Sequence, residues 1–326
     1  MRPTFSIILF TVLSGAGYGL WFLVALLLLA ATLSGADTGD TLRIWPGWFG
    51  SGLALGFVLV SIGLLSSLGH LGKPLRAWRA FSQWRSSWLS REGVSAVLTY
   101  LPVLAIALYA VSAPRDAWLL TLSAVLLLLG SLATTICTAN IYACLKPIAA
   151  WNNRYVVAGY LLLGLHCGAL LAWVLASLHR DAIAGPWLLP FVVMTTGIGG
   201  ALLKSAYWRF IDREPGSTTA HAIGLDHAGN AGSFEHPHTQ ANYLTTEMGF
   251  RVARKHSRQL RGMALLGGFL LPAALALAAL AWPAGAAATA WPALLAGLIG
   301  VFVERWLFFA EARHTVMLYY GARRVP

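Results

Sequence analysis

Two ionisable residues, His70 and Glu92, bracket a basic stretch of sequence between two uncharged segments. A histidine exchanges protons near neutral pH, and a carboxylate can take a proton from a hydroxyl or hold an imidazole in place. We expect the two residues at one membrane depth, at the ends of adjoining helices. A quinol, which loses two protons as it loses two electrons, could use such a pair. Each residue alone also fits an ordinary membrane boundary, with Glu92 in the first turn of a helix that Ser90 caps.

Basic residues and tryptophans alternate between His70 and Glu92. The basic residues are Lys73, Arg76, Arg79, Arg85 and Arg91, and the tryptophans are Trp78, Trp84 and Trp88. This mixture is typical of a membrane interface, which accounts for most of these residues. Lys73 and Arg76 lie nearest to His70. They could hold a quinone carbonyl or dock a partner subunit, and docking is the favoured interpretation.

Long uncharged segments indicate the elements that must position these residues. The chain has 326 residues, of which 58% are hydrophobic and 11% are charged, whereas an average soluble domain is about 25% charged. No Asp, Glu, Lys or Arg occurs in 3–36, 44–72, 93–114, 117–145, 155–179, 182–203 or 262–303. Each of the first six segments fits one transmembrane helix of roughly 20 residues. The last is long enough for two, with a turn rich in Pro and Gly at 282–292.

These segments predict an all-α integral membrane protein, a bundle of eight transmembrane helices with both termini on the same side. The pattern disfavours a barrel, because its strands would be shorter and would alternate in polarity. The helices are expected near 6–33, 47–69, 92–112, 118–143, 156–178, 185–207, 262–282 and 291–312. We expect a single membrane domain over residues 1–326.

A long surface connection is predicted at 208–261, between helices six and seven. Its middle is polar and rich in glycine, and its end, with Glu247, Arg251, Lys255 and Arg258 at helical spacing, predicts an amphipathic helix on the membrane surface. Four histidines of the connection could bind a metal, but their spacing fits no usual site, and none is predicted. They are His221, His227, His236 and His238.

The distribution of charge predicts the orientation of the chain. The net charge is +11, and the side that carries the termini would hold 19 Lys and Arg against 3 on the opposite side. The positive-inside rule then places both termini in the cytoplasm. The basic charge therefore predicts contact with membrane lipid, and no nucleic-acid partner is expected.

Polar residues inside the predicted spans are few. Glu304 and Arg305 lie within helix eight, where an arginine is costly unless it is paired. They could form an internal pair that locks this helix to a neighbour, or Arg305 could form a wall of a quinol pocket. His166, in the middle of helix five, is expected to hydrogen-bond to a neighbouring helix.

Three motifs resemble the membrane-anchor subunit of the dimethyl sulfoxide reductase family. They are "GHLGKPLRAWRAFSQWRSSWLSREG" at 69–93, "CTANIYACLKPIAAWNN" at 137–153 and "ERWLFFAEARHTVMLYYG" at 304–321. The first is the most specific, and the resemblance extends over essentially the whole chain. It implies a subunit that anchors a molybdopterin catalytic subunit and an iron–sulfur subunit, with molybdopterin and clusters only in those partners and no haem in this chain.

The resemblance also implies an activity and its residues. The family oxidises membrane quinol, menaquinol or ubiquinol, and passes the electrons to the iron–sulfur subunit. Its quinol-site histidine matches His70 and its essential glutamate matches Glu92. The expected location is the bacterial inner membrane. Because the side of the termini is the basic one, we expect the catalytic subunits in the cytoplasm.

Other functions remain open on the residues alone. An electron-transfer protein that binds haem b could use His70 and His314 as axial ligands at similar depth. A secondary transporter would need broken helices at the membrane midplane and internal repeats, whereas the prolines here fall mostly at helix ends. A passive anchor that does not use its quinol site is the third alternative.

Overall fold

The computed structural model describes residues 3–34, 47–112, 117–179, 187–214, 216–225, 231, 235, 256–320 and 322, without the side chains of His70 and Ala117. Eight helices in these residues are long and apolar enough to cross a membrane, which confirms the predicted all-α membrane fold. They are α1 (Phe5–Leu33), α2 (Trp48–Ser67), α3 (Trp88–Ser112), α4 (Ala117–Ala143), α5 (Arg154–Leu178), α6 (Leu188–Arg213), α7 (Ser257–Ala281) and α8 (Ala286–Ala310). The common side of the two termini and the single domain stay predictions.

The start of α3 differs from its predicted position. The helix begins at Trp88, four residues before Glu92, because the carbonyl of Ser87 already accepts a hydrogen bond from the Arg91 amide. The proposed cap at Ser90 is therefore wrong. Ser90 lies inside the helix, and among the described residues its buried hydroxyl has no hydrogen-bond partner. Glu92 is accordingly one turn inside α3.

Two further boundaries differ in the same way. Helix α6 continues to Arg213, so the first residues of the predicted connection are helical, and a short helix at Thr219–Ala222 follows. The turn before α8 is only Pro283–Gly285, because Pro292 is accommodated inside the helix, as prolines often are in membrane spans. Most of the remaining connection lies outside the described residues.

Helices α1 and α5 form the centre of the bundle. Helix α1 packs against α2, α4, α5 and α8, and α5 also contacts α6. The two central helices approach closely where glycines face each other: a Cβ at Gly19 would overlap Gly164, and one at Gly168 would overlap the backbone of Gly19 and Leu20. Small residues permit this approach, which supplies the van der Waals contact that holds helices together in lipid.

The second and third motifs contact each other at one end of the bundle. The Trp151 indole donates a hydrogen bond to the Phe308 carbonyl at 3.0 Å and stacks on the Phe308 ring. Tyr142 packs against Trp151, Phe308 and Phe309. This cluster fixes the α4–α5 connection against α8, so both motifs have a packing role.

Candidate functional site

Glu92 is buried between α3 and α4. Its residue exposure is 5%, and its Oε1 atom lies 2.5 Å from the hydroxyl of Thr138 on α4. The same hydroxyl lies 3.0 Å from the Thr134 carbonyl. A threonine has one hydroxyl proton, so it can donate either to an ionised Glu92 or to Thr134. In the second case a protonated Glu92 donates to Thr138, and both protonation states of the carboxyl group are hydrogen-bonded.

Helix α4 presents a hydroxyl row on its buried face, formed by Ser131, Thr134, Thr135 and Thr138. The residues recur at spacings of three and four, so the helix brings them onto one side. The Thr134 hydroxyl also lies 3.3 Å from that of Thr99 on α3. The row was not among the predicted site residues, although the spacing in "SLATTICT" at 131–138 carried the signal.

Three tyrosines lie within electrostatic range of the Glu92 carboxyl group. Tyr18 and Tyr160 are buried, and Tyr142 is partly buried. Tyr142 and Tyr160 stack on each other with ring centroids 5.9 Å apart. Glu92 therefore stands in an aromatic and hydroxyl-lined interior, which is suited to a flat polar ring.

His70 ends a short 3₁₀ turn, Leu68–His70, that follows α2. Its side chain lies outside the described part of the structure, so its pairing with Glu92 stays a prediction. Lys73 and Arg76 belong to the segment that follows, and both are exposed. This position suits contact with a soluble partner or with lipid headgroups.

The basic segment folds back onto the start of α3. Its 3₁₀ helix, Pro74–Gln83, brings the Phe81 ring against Gly93. The Arg91 guanidinium lies over the Trp88 ring at 4.4 Å and donates to the Trp84 carbonyl at 3.0 Å. The segment is thereby tied to the turn of α3 that carries Glu92.

Arg305 lies in a buried charge triad with Glu304 and Lys204. Glu304 accepts two hydrogen bonds from the Arg305 guanidinium, at 2.5 and 2.9 Å, and forms a salt bridge with Lys204 of α6. The Arg305 guanidinium also lies over the Tyr160 ring at 4.6 Å. The triad joins α6 to α8, and the contact with Tyr160 adds α5, which favours the interpretation of Arg305 as part of an interhelical lock. The adjoining cavity is only about 20 Å³.

Lys204 was missed as a residue of the membrane interior. It follows the uncharged run 182–203 directly, so the sequence placed it with the surface charges. The predicted helix 185–207 ends one turn after Lys204, whereas α6 continues to Arg213 and buries this lysine with an exposure of 3%. A lysine at the edge of an apolar run is ambiguous until the true end of the helix is known.

A polar cavity of about 390 Å³ lies between the end of α6, the start of α7 and the end of α8. Arg261 forms ion pairs there with Asp212 and Glu311. Burial raises the pKa of the Glu311 carboxyl, and the ion pair with Arg261 opposes this effect. Among the described residues, none of the predicted site residues lines this cavity.

His166 and His314 lie in different parts of the structure. The expected interhelical contact of His166 is confirmed: its ring nitrogens bond to the Thr196 hydroxyl at 2.9 Å and to the Gly268 carbonyl at 3.0 Å. His314 follows α8, and its Nδ1 accepts from the Val316 amide at 2.9 Å. Burial lowers the pKa of His314.

The histidines considered for a metal site lie only partly within the described residues. His221 lies in the short helix Thr219–Ala222, whereas His227, His236 and His238 lie outside the described residues, as do Glu247, Arg251 and Lys255 of the predicted surface helix. In the ranges that are described, no three His, Cys, Asp or Glu side chains are close enough to hold a metal ion.

Comparison with known proteins agrees with these features. The family model "DMSO reductase anchor subunit (DmsC)" matches residues 1–319. A sulfite dehydrogenase subunit from Allochromatium vinosum is 31% identical over 337 residues, covering 98% of this chain and 99% of the relative. No solved structure matches the chain. With eight spans and a match over nearly its full length, the chain belongs to the family of membrane anchor subunits of dimethyl sulfoxide reductase, a molybdoenzyme.

Proposed function

We propose that this anchor subunit oxidises membrane quinol, with Glu92 as the group that receives a quinol proton. The observation that carries the proposal is the burial of Glu92 beside the Thr138 hydroxyl, where both protonation states are hydrogen-bonded. A buried carboxyl with such a partner is suited to general acid–base catalysis. His70 is the proposed second proton acceptor, and Lys73 and Arg76 stand at the boundary beside it.

The electrons leave through partner subunits. Quinol gives up two electrons and two protons and becomes quinone. The electrons pass to an iron–sulfur subunit that supplies a molybdopterin catalytic subunit, and those partners hold the redox cofactors. The exposed basic segment with Lys73 and Arg76 is the proposed contact of the iron–sulfur subunit, with Arg79 and Arg85 over Trp78 and Trp84 at the lipid boundary.

The orientation of the complex is part of the proposal. The excess of Lys and Arg on one side supports an inner-membrane protein with both termini and the catalytic subunits in the cytoplasm. Quinol protons released at Glu92 and His70 would then enter the cytoplasm, so that turnover would not build a proton gradient. A reporter fused after Pro326 should be active only as a cytoplasmic fusion; activity from a periplasmic reporter would contradict this orientation.

The reverse reaction is the second candidate. The relative from Allochromatium vinosum is named as a subunit of a sulfite dehydrogenase, and a dehydrogenase releases electrons. If this chain serves such an enzyme, quinone accepts two electrons and two protons, and Glu92 donates a proton instead of accepting one. The same residues serve both directions, and the catalytic subunit decides between them.

The test follows electron exchange with the clusters of the purified complex in lipid nanodiscs. Glu92→Gln keeps the size and hydrogen bonding of the side chain but cannot carry the proton. We expect the rate of cluster reduction by quinol, or of cluster oxidation by quinone, to fall roughly 100-fold, the scale of lost acid–base catalysis.

Two controls make the result specific. Cluster reduction by dithionite should not change in Glu92→Gln, and Glu214→Gln, at an exposed glutamate after α6, should keep the normal quinol rate. An unchanged rate in Glu92→Gln would remove this residue from the mechanism, and a complex that purifies without clusters would contradict the proposed partners.

A further inference from the structure

An apolar groove opens on the lipid-facing side of the bundle between α1, α4 and α5. Its volume is about 310 Å³, and its lining includes Tyr18, Phe22, Ser131, Thr135, Ala158 and Leu165. We call it the lateral groove. Ala158 is exposed at its outer edge, whereas Tyr18 and Ser131 are buried at its inner side.

Two residues that line the lateral groove, Tyr18 and Ser131, carry hydroxyl groups whose unsatisfied state indicates a ligand. The Ser131 and Tyr18 hydroxyls are buried, and neither has a hydrogen-bond partner among the described residues; the Thr134 hydroxyl stands beside Tyr18 without a bond of normal geometry. A buried hydroxyl without a partner costs free energy, because its bonds to water are lost. A lipid acyl chain would leave both hydroxyls unsatisfied, whereas a ligand with oxygen atoms on an apolar body would not.

The mouth of the lateral groove lies at about the same depth in the bundle as Glu92. Ala158 is the fifth residue of α5 and Glu92 is the fifth residue of α3, and short connections through α4 place the starts of these two helices at the same end of the bundle. The groove continues from there to Leu165, about 10 Å farther along α5. At its inner wall, the hydroxyl row of α4 leads from Ser131 to Thr138, the partner of Glu92.

From this arrangement we infer that the lateral groove is the entrance and binding site of an isoprenoid quinone, whose ring oxygens hydrogen-bond to Tyr18 and Ser131. The inference rests on the proposed exchange of electrons with quinone. The apolar walls take the isoprenoid tail, and the open side at Ala158 admits the molecule from the bilayer. The hydroxyl row of α4 connects the ring position at Ser131 to Thr138, the partner of Glu92, about 10 Å along the helix.

The experiment measures quinone binding in the purified complex in phosphatidylcholine nanodiscs. The probe is a quinone with two isoprenoid units and a photoreactive azide on the tail. Light should attach the probe to peptides that contain 131–135 or 158–165, and unlabelled quinone should prevent this labelling.

Ala158→Phe fills the mouth of the groove at an exposed position and should raise the half-saturating concentration of the probe at least about ten-fold. Tyr18→Phe and Ser131→Ala each remove one hydroxyl and should raise it about three- to ten-fold.

The matched control is Ala133→Phe, at an exposed alanine of α4 that does not line the groove; it should bind the probe normally. Equal labelling in Ala133→Phe and Ala158→Phe, or labelling that excess phospholipid removes as well as quinone does, would overturn the inference.

The experiments distinguish a failure of the proposed binding site from a failure of the proposed function. If Glu92→Gln blocks electron exchange while Ala158→Phe does not, the function stands and this site is wrong. If the groove binds the probe without any electron exchange, the function is wrong.

Discussion

Thr138 hydrogen-bonds to the carboxyl group of Glu92, the proposed proton acceptor. Replacing Thr138 with valine keeps the shape of the side chain and removes the hydroxyl that serves both protonation states of the carboxyl group. The buried carboxyl then has no side-chain hydrogen bond within the described structure, which costs about 1–3 kcal/mol. We expect Thr138→Val to slow quinol-dependent cluster reduction about ten-fold, measured by stopped-flow absorbance.

Thr195→Val is the appropriate comparison for this substitution. Thr195 also bonds to a carbonyl one turn earlier in its own helix, but it lies on the exposed side of α6. Its replacement should leave the rate unchanged. If both valine variants slow the reaction equally, the loss reflects a general effect of the lost hydroxyl on the helices and not the contact with Glu92.

The crossing of α1 and α5 is the element most sensitive to size. Gly168→Ala would place a methyl group against the backbone of Gly19 and Leu20, and the two central helices would have to separate. Overpacking of this kind typically costs about 1–3 kcal/mol. We expect Gly168→Ala to lower the midpoint of thermal unfolding in detergent, followed by the loss of monodisperse protein on size-exclusion chromatography.

Gly159→Ala tests whether the loss of stability comes from a clash between helices or from the replacement of any glycine in α5. A Cβ at Gly159 would meet no atom within 4 Å, so this variant adds a methyl group to the same helix without a clash. Alanine is also the better helix former by about 1 kcal/mol. The midpoint should stay the same or rise, and a fall as large as that of Gly168→Ala would contradict the packing argument.

The sequence predicted the membrane-spanning helices better than it predicted the residues at which they begin and end. Long uncharged runs can satisfy their backbone groups in lipid only as helices, so each span could be located from the sequence. Their boundaries depend on local hydrogen bonds such as that from Arg91 to Ser87, which composition does not reveal. The shift of α3 by one turn was enough to change Glu92 from a residue at a helix start to a buried one. Likewise, Thr138 could be placed on a helix but not opposite Glu92, because that contact depends on which helices are neighbours.

At the scale of the whole molecule, the charge triad is expected to be the strongest constraint on assembly. Glu304→Gln deprives two buried cations, Lys204 and Arg305, of their shared ion-pair partner, and removal of one partner from a buried pair typically costs about 3–5 kcal/mol. We expect a sharp fall in the yield of folded protein from membranes. Lys204→Met should be milder, because Glu304 keeps its pair with Arg305.

Lys146→Met, at an exposed lysine outside the helices, provides the baseline for both triad variants. Its yield should equal that of the unmodified chain. A Lys204→Met yield as low as that of Glu304→Gln would mean that the lysine contributes more than a counter-charge. Equal yields for all three variants would show that the triad does not hold the bundle together.

The triad also has a consequence for biosynthesis. Helices enter the membrane in chain order, so Lys204 is inserted with α6 well before its counter-charge on α8 has been synthesised. Until then, the nascent protein carries a lone cation in its hydrocarbon-spanning part. A chain that terminates early keeps this defect, and quality-control proteases that survey the membrane have a reason to remove it. Helix α8 thus supplies the counter-charge that a chain truncated before it would lack.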